Sequence, residues 1–381
     1  MSRVILFGGG LQSLSISRGL KDYNHYVINV ADRQAVGKYG KFVDDFIPVE
    51  LNNLTPNAFA RIIKETTTDV VIPMEDEYAE WLSLNKEAIE GISDAKLAVV
   101  EHSLFKRVIN KCHLLSECKK SGIPHPKTES LHIDKIHEIA DNLCFPVLIK
   151  PDVSNGSRGI VRVDTSGELI AKAPEIISAY GSCTVQEFIE QSHYYNVMLY
   201  RYKDGSWGHY VVTKITRYYP VKGGSSSFCT TIDGGDIIKP CMKLLEVLGW
   251  TGFADFDVLE KGEGDYRIIE INPRVPASVH AAYVSGVNYG EMIVADMIEN
   301  RAIDNIYETG KHLRFLGLDI AWFLASPNRF KSSPSWFKFL GKNIYYQEGG
   351  IKDLRAMLYS IYVGVKKQLS PSFRKSKSGM N

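Results

Sequence analysis

The sequence predicts an α/β domain at the amino terminus, followed by an α+β domain of two lobes. Three observations favour this architecture: an apolar strand that meets three glycines near the first residue, a change to helical periodicity after residue 102, and paired strand signals up to residue 272. A chain of 381 residues has room for two or three domains with ample cores. The predicted divisions are 1–102, 103–190, 191–310 and a partly helical extension over 311–381.

The amino-terminal region alternates strands with helices. A strand over Val4–Phe7 leads through three glycines into the apolar-periodic segment Leu11–Leu20, and further strands are expected at Tyr26–Val30 and Val70–Pro73. Such alternation predicts a small parallel sheet with both faces covered. Its ligand crevice would lie at the carboxyl ends of the strands.

The glycine turn does not complete a dinucleotide-binding fingerprint. That motif needs a glycine at position 13, where Ser13 stands, so an NAD site is not expected. The strand that ends at Pro73 is followed by Glu75 and Glu77, which could bind an amine or could simply favour the start of a helix.

Composition limits the class of partner. The formal net charge is +1, so no overall field attracts nucleic acid. The six cysteines include no Cys-x-x-Cys pair, and we expect buried thiols in a reducing compartment. No apolar run is long enough for a transmembrane helix or a signal-peptide core. We therefore expect a soluble, cytoplasmic protein that acts on small molecules. A homo-oligomer is a separate expectation.

A lysine and a flexible loop form the first chemical signal. Helical periodicity from Ser103 ends at Gly122-Ile123-Pro124, and the apolar strand Phe145–Pro151 then carries Lys150 close to its end. The following loop over 154–159 is rich in glycine and serine, so its backbone N–H groups can converge on phosphate oxygens. The loop lacks the P-loop pattern. We predict a phosphate clamp, although a lone lysine at a strand end could equally reach solvent.

The segment Gln186-Glu187-Phe188-Ile189 lies at a strand end near the expected boundary between the two lobes. An adenine could hydrogen-bond to main chain there while apolar neighbours stack on it. This signal is weak without the others.

The strand Ile268–Arg274 carries a carboxylate, an amide and a guanidinium on one face. Side chains alternate along a strand, so Glu270, Asn272 and Arg274 project together. The preceding strand should pair with it in a hairpin and presents Asp255 and Asp257. Oxygen ligands at this spacing suit Mg²⁺, and a carboxylate cluster without cations would repel itself.

Candidate substrate-binding residues lie between the segment Gln186–Ile189 and the predicted hairpin that carries Asp257 and Glu270, and just after that hairpin. A cationic, glycine-rich segment there could bind an anionic substrate or could be a solvent-exposed loop. A lone histidine close to Arg274 could face the site or could be a structural hydrogen-bond partner. These candidates are Lys214, Arg217, Gly224, Ser225 and His280.

The end of the chain is basic. Apolar residues at helical spacing from Leu354 to Val365 predict an amphipathic helix before a tail that contains Arg374, Lys375 and Lys377. The helix could dock on its own protein, and the tail could make a weak contact with an anionic membrane surface.

Taken in order, these motifs resemble the ATP-grasp superfamily, in particular its carboxylate–amine ligases and carbamoyl-phosphate-synthase-like members. The resemblance covers about residues 1–300, and its most specific block is a glycine five residues before Asp257, followed by Glu-x-Asn-Pro-Arg over 270–274. Asn110-Lys111, eleven residues before Gly122-Ile123-Pro124, also fits the family pattern. The resemblance implies a pre-ATP-grasp α/β domain followed by a two-lobed ATP-grasp domain.

The resemblance also implies a role for each motif residue. The cofactors would be ATP and two Mg²⁺ ions, for which Mn²⁺ could substitute, with Arg274 meeting the transferred phosphoryl group or an acyl phosphate. The metal ligands would be Asp257, Glu270 and Asn272. The nucleotide would contact Lys111, Lys150, the loop residues Ser154, Gly156, Ser157 and Gly159, and the hinge residues Glu187, Phe188 and Ile189. His193 stands where an acidic ribose contact is usual, so Glu190 is the candidate for that role.

The implied activity is ATP-dependent amide formation between a carboxylate and an amine through an acyl phosphate. One alternative is a carboxylase or carbamoyl-phosphate-type enzyme that activates bicarbonate, although the sequence has neither a second ATP-grasp half nor a biotinyl segment. Another is a non-catalytic ATP-binding module, which would be expected to lack the metal ligands.

Overall fold

In the computed structural model, described for residues 1–154, 158–190, 193–221 and 224–369, the amino-terminal region forms a five-stranded parallel sheet of order β3-β2-β1-β4-β5. Its strands are β1 (Arg3–Phe7), β2 (Tyr26–Ala31), β3 (Asp45–Pro48), β4 (Val70–Pro73) and β5 (Lys96–Leu97). Its helices are α1 (Leu11–Lys21), α2 (Pro56–Glu65), α3 (Asp76–Leu84) and α4 (Lys86–Glu90). The predicted parallel sheet is confirmed.

The glycine turn positions the start of α1. Gly8 has φ +102°, and a Cβ at this position would lie 3.1 Å from the Glu75 carboxylate. Glu75 accepts a hydrogen bond from the Gly9 N–H at 2.9 Å, so this side chain is used to hold the turn. The close approach explains why glycine is needed where β1 ends.

A helical pair leads to the second sheet. The helix expected from Ser103 is divided into α5 (His102–Ile109) and α6 (Lys111–Lys120), because Asn110 is extended and its side chain caps α6. The second sheet is antiparallel, has the order β6-β9-β7-β8 and packs against α7 (Ile136–Asp141) and α8 (Ser166–Tyr180). Its strands are β6 (Thr128–Leu131), β7 (Val147–Pro151), β8 (Val161–Val163) and β9 (Cys183–Glu187).

The third sheet has seven strands in the order β14-β13-β10-β11-β12-β15-β16 and is antiparallel except for the last pair. Its strands are β10 (His193–Arg201), β11 (Val211–Tyr219), β12 (Ser225–Ile232), β13 (Gly252–Glu260), β14 (Tyr266–Asn272), β15 (His312–Arg314) and β16 (Ile344–Tyr346). The accompanying helices are α9 (Ile238–Val247), α10 (His280–Val284), α11 (Tyr289–Val294), α12 (Leu316–Ala325) and α13 (Leu354–Leu369). These sheets give the predicted α/β and α+β architecture.

The carboxyl-terminal extension contacts both the third sheet and the amino-terminal domain. It supplies β15 and β16 to the third sheet, and α12 packs against β11 and β12. The last helix, α13, lies on the amino-terminal domain. The ring centroids of Tyr359 and Tyr39 are 4.2 Å apart, and the Tyr359 hydroxyl donates a hydrogen bond to the Gln34 carbonyl. Of the two possibilities for this helix, docking on its own protein is the one observed. The basic tail residues Arg374, Lys375 and Lys377 lie outside the described residues.

The structure bears on the expectations for membrane-spanning helices and for the cysteines. Across the described residues, no helix has both the length and the apolar character needed to cross a membrane. All six cysteines are free, but the expectation that all are buried is wrong for Cys144, which is exposed, and for Cys112, which is partly exposed.

Candidate active site

A cavity of about 400 Å³ lies where the amino-terminal sheet and the two later sheets meet. Side chains from all parts of the chain line it. The lining includes Asp76, Lys111, Lys150, Ser154, Asn196, Ile215, Gly224, Ser225, Asp255, Asp257, Glu270, Asn272, Arg274, Ser278, Phe315, Leu318 and Gln347. Of the sequence-predicted residues, the structure therefore brings together both lysines, the three metal-ligand candidates, Arg274, Ser154, Gly224 and Ser225.

The β13–β14 hairpin places carboxylates opposite one another. Asp257 is paired with Glu270, and Asp255 is paired with Asn272. A bulge at Ile269 lets Val258 pair with Ile268, but it precedes Glu270 and leaves the later alternation intact. The predicted common face of Asp255, Asp257, Glu270 and Asn272 is thus observed.

Asp255 and Asp257 are buried and Glu270 is partly exposed, and the three carboxylates are close enough to repel one another, so a bound cation would stabilise them. Burial raises the pKa of Asp255 to about 7, and burial together with the Glu270 charge raises the pKa of Asp257 well above its usual value. Burial also raises the pKa of Glu270, but the charge of Lys111, a hydrogen bond from Asp257 and the charge of Lys150 outweigh it and hold this pKa below its usual value.

The oxygen atoms present fit a hard cation such as Mg²⁺. Counting only the described residues, Asp255 Oδ1 is buried without a hydrogen-bond partner, while Asp257 accepts a hydrogen bond from the Asn196 amide. Within the described residues, no group of three acidic, histidine or cysteine side chains forms a complete metal site. In proteins, Mg²⁺ usually takes one or two carboxylates and completes its shell with phosphate oxygens and water.

Two buried lysines face the carboxylates. Lys150 donates a hydrogen bond to Gln186 Oε1 at 2.6 Å, and Lys111 donates to the Ser154 carbonyl at 2.9 Å while lying 3.6 Å from Glu270. Burial, followed by the charge of Lys111, lowers the pKa of Lys150 to about 8. Two buried ammonium groups, of which Lys111 lowers the pKa of Lys150, form a natural receptor for a polyanion.

Part of the predicted phosphate loop can be located. Ser154 lines the cavity, whereas Gly159 does not; Gly159 has φ +71°, and a Cβ there would lie 2.8 Å from Pro151. Gly156 and Ser157 lie outside the described residues.

Arg274 is held by a residue that the sequence analysis did not select. Its Nε donates to Asp76 Oδ1 at 2.8 Å and its Nη2 to Asp76 Oδ2 at 3.4 Å, while Nη1 lies 4.0 Å from Asp255. Asp76 begins α3, three residues after β4 ends at Pro73. Its neighbours Glu75 and Glu77, which were considered as amine ligands, respectively hold the glycine turn and lie exposed.

The hinge residues lie at the end of β9, an inner strand of the second sheet, and do not line the cavity in the described part of the chain. Glu187 forms an ion pair with Lys261 at 2.7 Å and accepts the Lys127 N–H. The ring of Phe188 lies beneath the guanidinium of Arg162, Ile189 is buried, and Glu190 is exposed. Their adenine and ribose roles stay predictions.

Three substrate candidates have other neighbours. Arg217 is buried and forms a bidentate pair with Asp319 at 2.7 and 3.1 Å. Lys214 is adjacent to the cavity residue Ile215, so its side chain leaves the opposite face of β11. His280 is buried against Ser15, at 3.1 Å from its Oγ, and burial lowers the pKa of its imidazole to about 3.

Sequence reasoning missed several cavity residues. Asn196 faces Asp257 across the β10–β13 ladder, and the alternation of β10 could have revealed it once the strand pairing was assumed. No local pattern marks Phe315, Leu318 or Gln347, which reach the cavity through tertiary packing of the carboxyl-terminal extension.

Comparisons with known proteins agree with this arrangement. Residues 108–278 match the family described as ATP-grasp domain. A relative, the D-aspartate ligase of Enterococcus faecium (strain Aus0004), is 24% identical over 339 residues, which are 81% of this chain and 79% of the relative.

Two solved structures show the same fold. The biotin carboxylase of Campylobacter jejuni in a β,γ-ATP complex has a TM-score of 0.68 at 15% identity, over 82% of this chain and 74% of that one. The L-amino acid ligase of Bacillus licheniformis has a TM-score of 0.60 at 14% identity, over 78% and 74%. The predicted fold class and the family resemblance are confirmed.

Proposed function

We propose that this chain, which carries an ATP-grasp domain, is an ATP-dependent ligase that joins a carboxylate to an amine and releases ADP and phosphate. The observation that supports this most is the cavity in which two buried lysines face the Asp257–Glu270 pair, with Arg274 beside them. A polyanion and a divalent cation together would balance these charges.

Each group in the cavity has a role in this proposal. Lys111 and Lys150 bind phosphate oxygens, and Ser154 with the loop that follows covers them. Asp257, Glu270 and Asn272 would hold two Mg²⁺ ions, or Mn²⁺, whose charge would offset that of the phosphate oxygens. The main chain at Phe188 and Ile189 binds adenine, with Glu187 and Glu190 beside it.

The reaction has two steps that these residues favour. A substrate carboxylate oxygen attacks the γ-phosphorus, the bond to the β-phosphate oxygen breaks, and ADP leaves an acyl phosphate behind. The amine nitrogen then attacks the acyl carbon, phosphate departs, and an amide forms with loss of a proton. Arg274 can bind two oxygens at once and so orients the phosphoryl group, and exclusion of water protects the acyl phosphate.

The experiment that tests this proposal measures ADP release with Mg²⁺ across a matrix of carboxylates and amines. D-aspartate is the first carboxylate to try, because the relative named D-aspartate ligase matches over most of both chains. ADP release that requires both partners is expected. Release with bicarbonate alone would instead identify the carboxylase alternative, and no release with any pair would favour the ATP-binding module.

Asp76 is predicted to orient Arg274 for this reaction. The substitution Asp76→Asn is expected to lower kcat by about tenfold, because loss of the ion pair frees the guanidinium, as with other outer-shell partners of catalytic groups. The KM for ATP should stay within about twofold, since Lys111 and Lys150 are unchanged. Steady-state kinetics on Asp76→Asn and on the exposed neighbour Glu77→Gln check this, and equal kcat values for the two would contradict it.

The neutral wall of the cavity is predicted to select the substrate. Phe315 and Leu318 line it without charge, so Leu318→Trp is expected to raise the KM of the carboxylate or the amine by about tenfold while the KM for ATP is unchanged. Leu324→Trp, on the same helix but exposed, is the control. A rise in the KM for ATP alone would show that this wall contacts the nucleotide.

A cytoplasmic location is part of the proposal, because ATP is the substrate and all six cysteines are free thiols. The division at residues 102, 190 and 310, and the homo-oligomer, stay predictions.

A further inference from the structure

An exposed surface of the carboxyl-terminal extension combines large apolar side chains with exposed lysines. We define the cationic aromatic surface as Phe330, Phe337 and Leu340 with Lys331, Lys338 and Lys342. The three apolar side chains are 73%, 58% and 78% exposed. Phe330 and Phe337 are neighbours, with ring centroids 6.3 Å apart, so they form one patch and are not isolated surface residues.

The charge of this segment has one sign. From Ile320 to Gln347 the sequence has four basic residues and no acidic one. The acids at either end, Asp319 and Glu348, are buried and do not reach the surface. Among the described residues, none of the three lysines forms an ion pair within 4.0 Å.

Buried residues fix the backbone of the segment that carries the exposed phenylalanines. Arg217 donates a hydrogen bond to the Pro334 carbonyl at 3.2 Å, and Arg314 donates to the Trp336 carbonyl at 2.8 Å. Both arginines are buried against Asp319, whose carbonyl accepts the Trp336 Nε1–H. The backbone between Phe330 and Phe337 is therefore fastened to the protein interior, so its phenylalanines are presented to solvent by a well-packed loop.

We propose that the cationic aromatic surface docks this protein on an anionic phospholipid surface. Partial insertion of aromatic and leucine side chains beside lysines is the pattern by which peripheral proteins bind acidic membranes. A second copy of the chain fits less well, because an isologous contact would bring lysines against lysines.

Docking would bring the cavity close to the lipid. Helix α12 connects the two, since Leu318 lines the cavity and Phe323, about 7.5 Å further along the helix axis, has its ring centroid 5.6 Å from those of Phe330 and Phe337. The proposal does not depend on which reaction the cavity performs.

Flotation of the full chain with vesicles tests this proposal. We expect binding to vesicles of equal parts phosphatidylcholine and phosphatidylglycerol to be at least about tenfold tighter than to pure phosphatidylcholine. The variant F330S/F337S/L340S should lose at least about tenfold of this binding even at low salt, and K331E/K338E should lose a similar factor that high salt reproduces in the wild type.

Matched controls distinguish docking from misfolding. Leu84 and Ile306 are 62% and 81% exposed elsewhere, so L84S/I306S should bind vesicles like the wild type. Circular dichroism and ATP-dependent activity without lipid should be unchanged in all variants. Equal binding to both vesicle types, no binding to either, or a concentration-dependent dimer that F330S/F337S/L340S abolishes in sedimentation would overturn the proposal.

Discussion

Replacing Glu270 with glutamine is expected to lower kcat by at least about a thousandfold while leaving the fold intact. Glutamine keeps the shape of the side chain and removes its charge. Glu270 lies 3.6 Å from the Lys111 ammonium and opposite Asp257, so it sits between the proposed phosphate and cation positions. Loss of one negative ligand should weaken Mg²⁺ most, and the Mg²⁺ concentration for half-maximal rate should rise.

Stability is expected to respond differently. Glu270→Gln removes an attraction to Lys111, but it also removes a negative charge that raises the pKa of Asp257. These effects oppose one another, so the free energy of unfolding should change by no more than about 1 kcal/mol. Denaturant unfolding without nucleotide measures it.

The control for this experiment lies on the same hairpin. Glu263 is exposed in the turn between β13 and β14, and Glu263→Gln should leave both kcat and the Mg²⁺ dependence unchanged. Normal Mg²⁺-dependent turnover by Glu270→Gln would rule out Glu270 as a ligand. A large loss of unfolding free energy would instead show that the residue is chiefly structural.

Local pattern was sufficient to predict β14 and its pairing with β13. Alternation along β14 and the short connection to β13 fix which side chains share a face, and the register observed between Asp257 and Glu270 follows from them. Lys150 could be found for a similar reason, because an apolar strand followed by a glycine-rich loop is a local signal. The parallel amino-terminal sheet was likewise evident from alternating strands and helices.

Contacts between distant segments could not be derived in this way. Asp76 and Arg274 are 198 residues apart, and Arg217 and Asp319 are 102 apart, so no periodicity relates them. Arg217 appeared to be a free cation because its partner belongs to an extension with few legible elements. The strand β12 was missed because serines and glycines at its start favour a loop, and only pairing with β11 and β15 makes it extended.

The substitution Lys150→Met is expected to lower kcat/KM for ATP by about a thousandfold and, in the absence of ATP, to stabilise the fold. Methionine is close in length and carries no charge. Lys150 is buried, and its pKa of about 8 shows that the folded protein disfavours its charged form. Removing the buried charge of Lys150 should stabilise the fold by more than it costs to leave Gln186 Oε1 without its donor. We therefore expect the free energy of unfolding to rise by about 1 kcal/mol.

The pH dependence of the unfolding free energy and of the KM for ATP distinguishes the effect of Lys150 from that of other titrating groups. The pKa of Lys150 in the folded protein is below the unfolded value of 10.5, so the unfolded chain binds more protons between about pH 8 and 10.5. The contribution of Lys150 to wild-type stability should therefore rise with pH across that range. Lys150→Met should lack this rise. Affinity for ATP should follow the opposite course, since phosphate binds the charged lysine, and the KM for ATP should rise as pH passes through 8. Lys150→Arg keeps its charge at these pH values and should show a flatter KM profile. Parallel KM profiles for the two proteins would contradict the assignment of Lys150 to the phosphate clamp, because another titrating group would then control ATP binding.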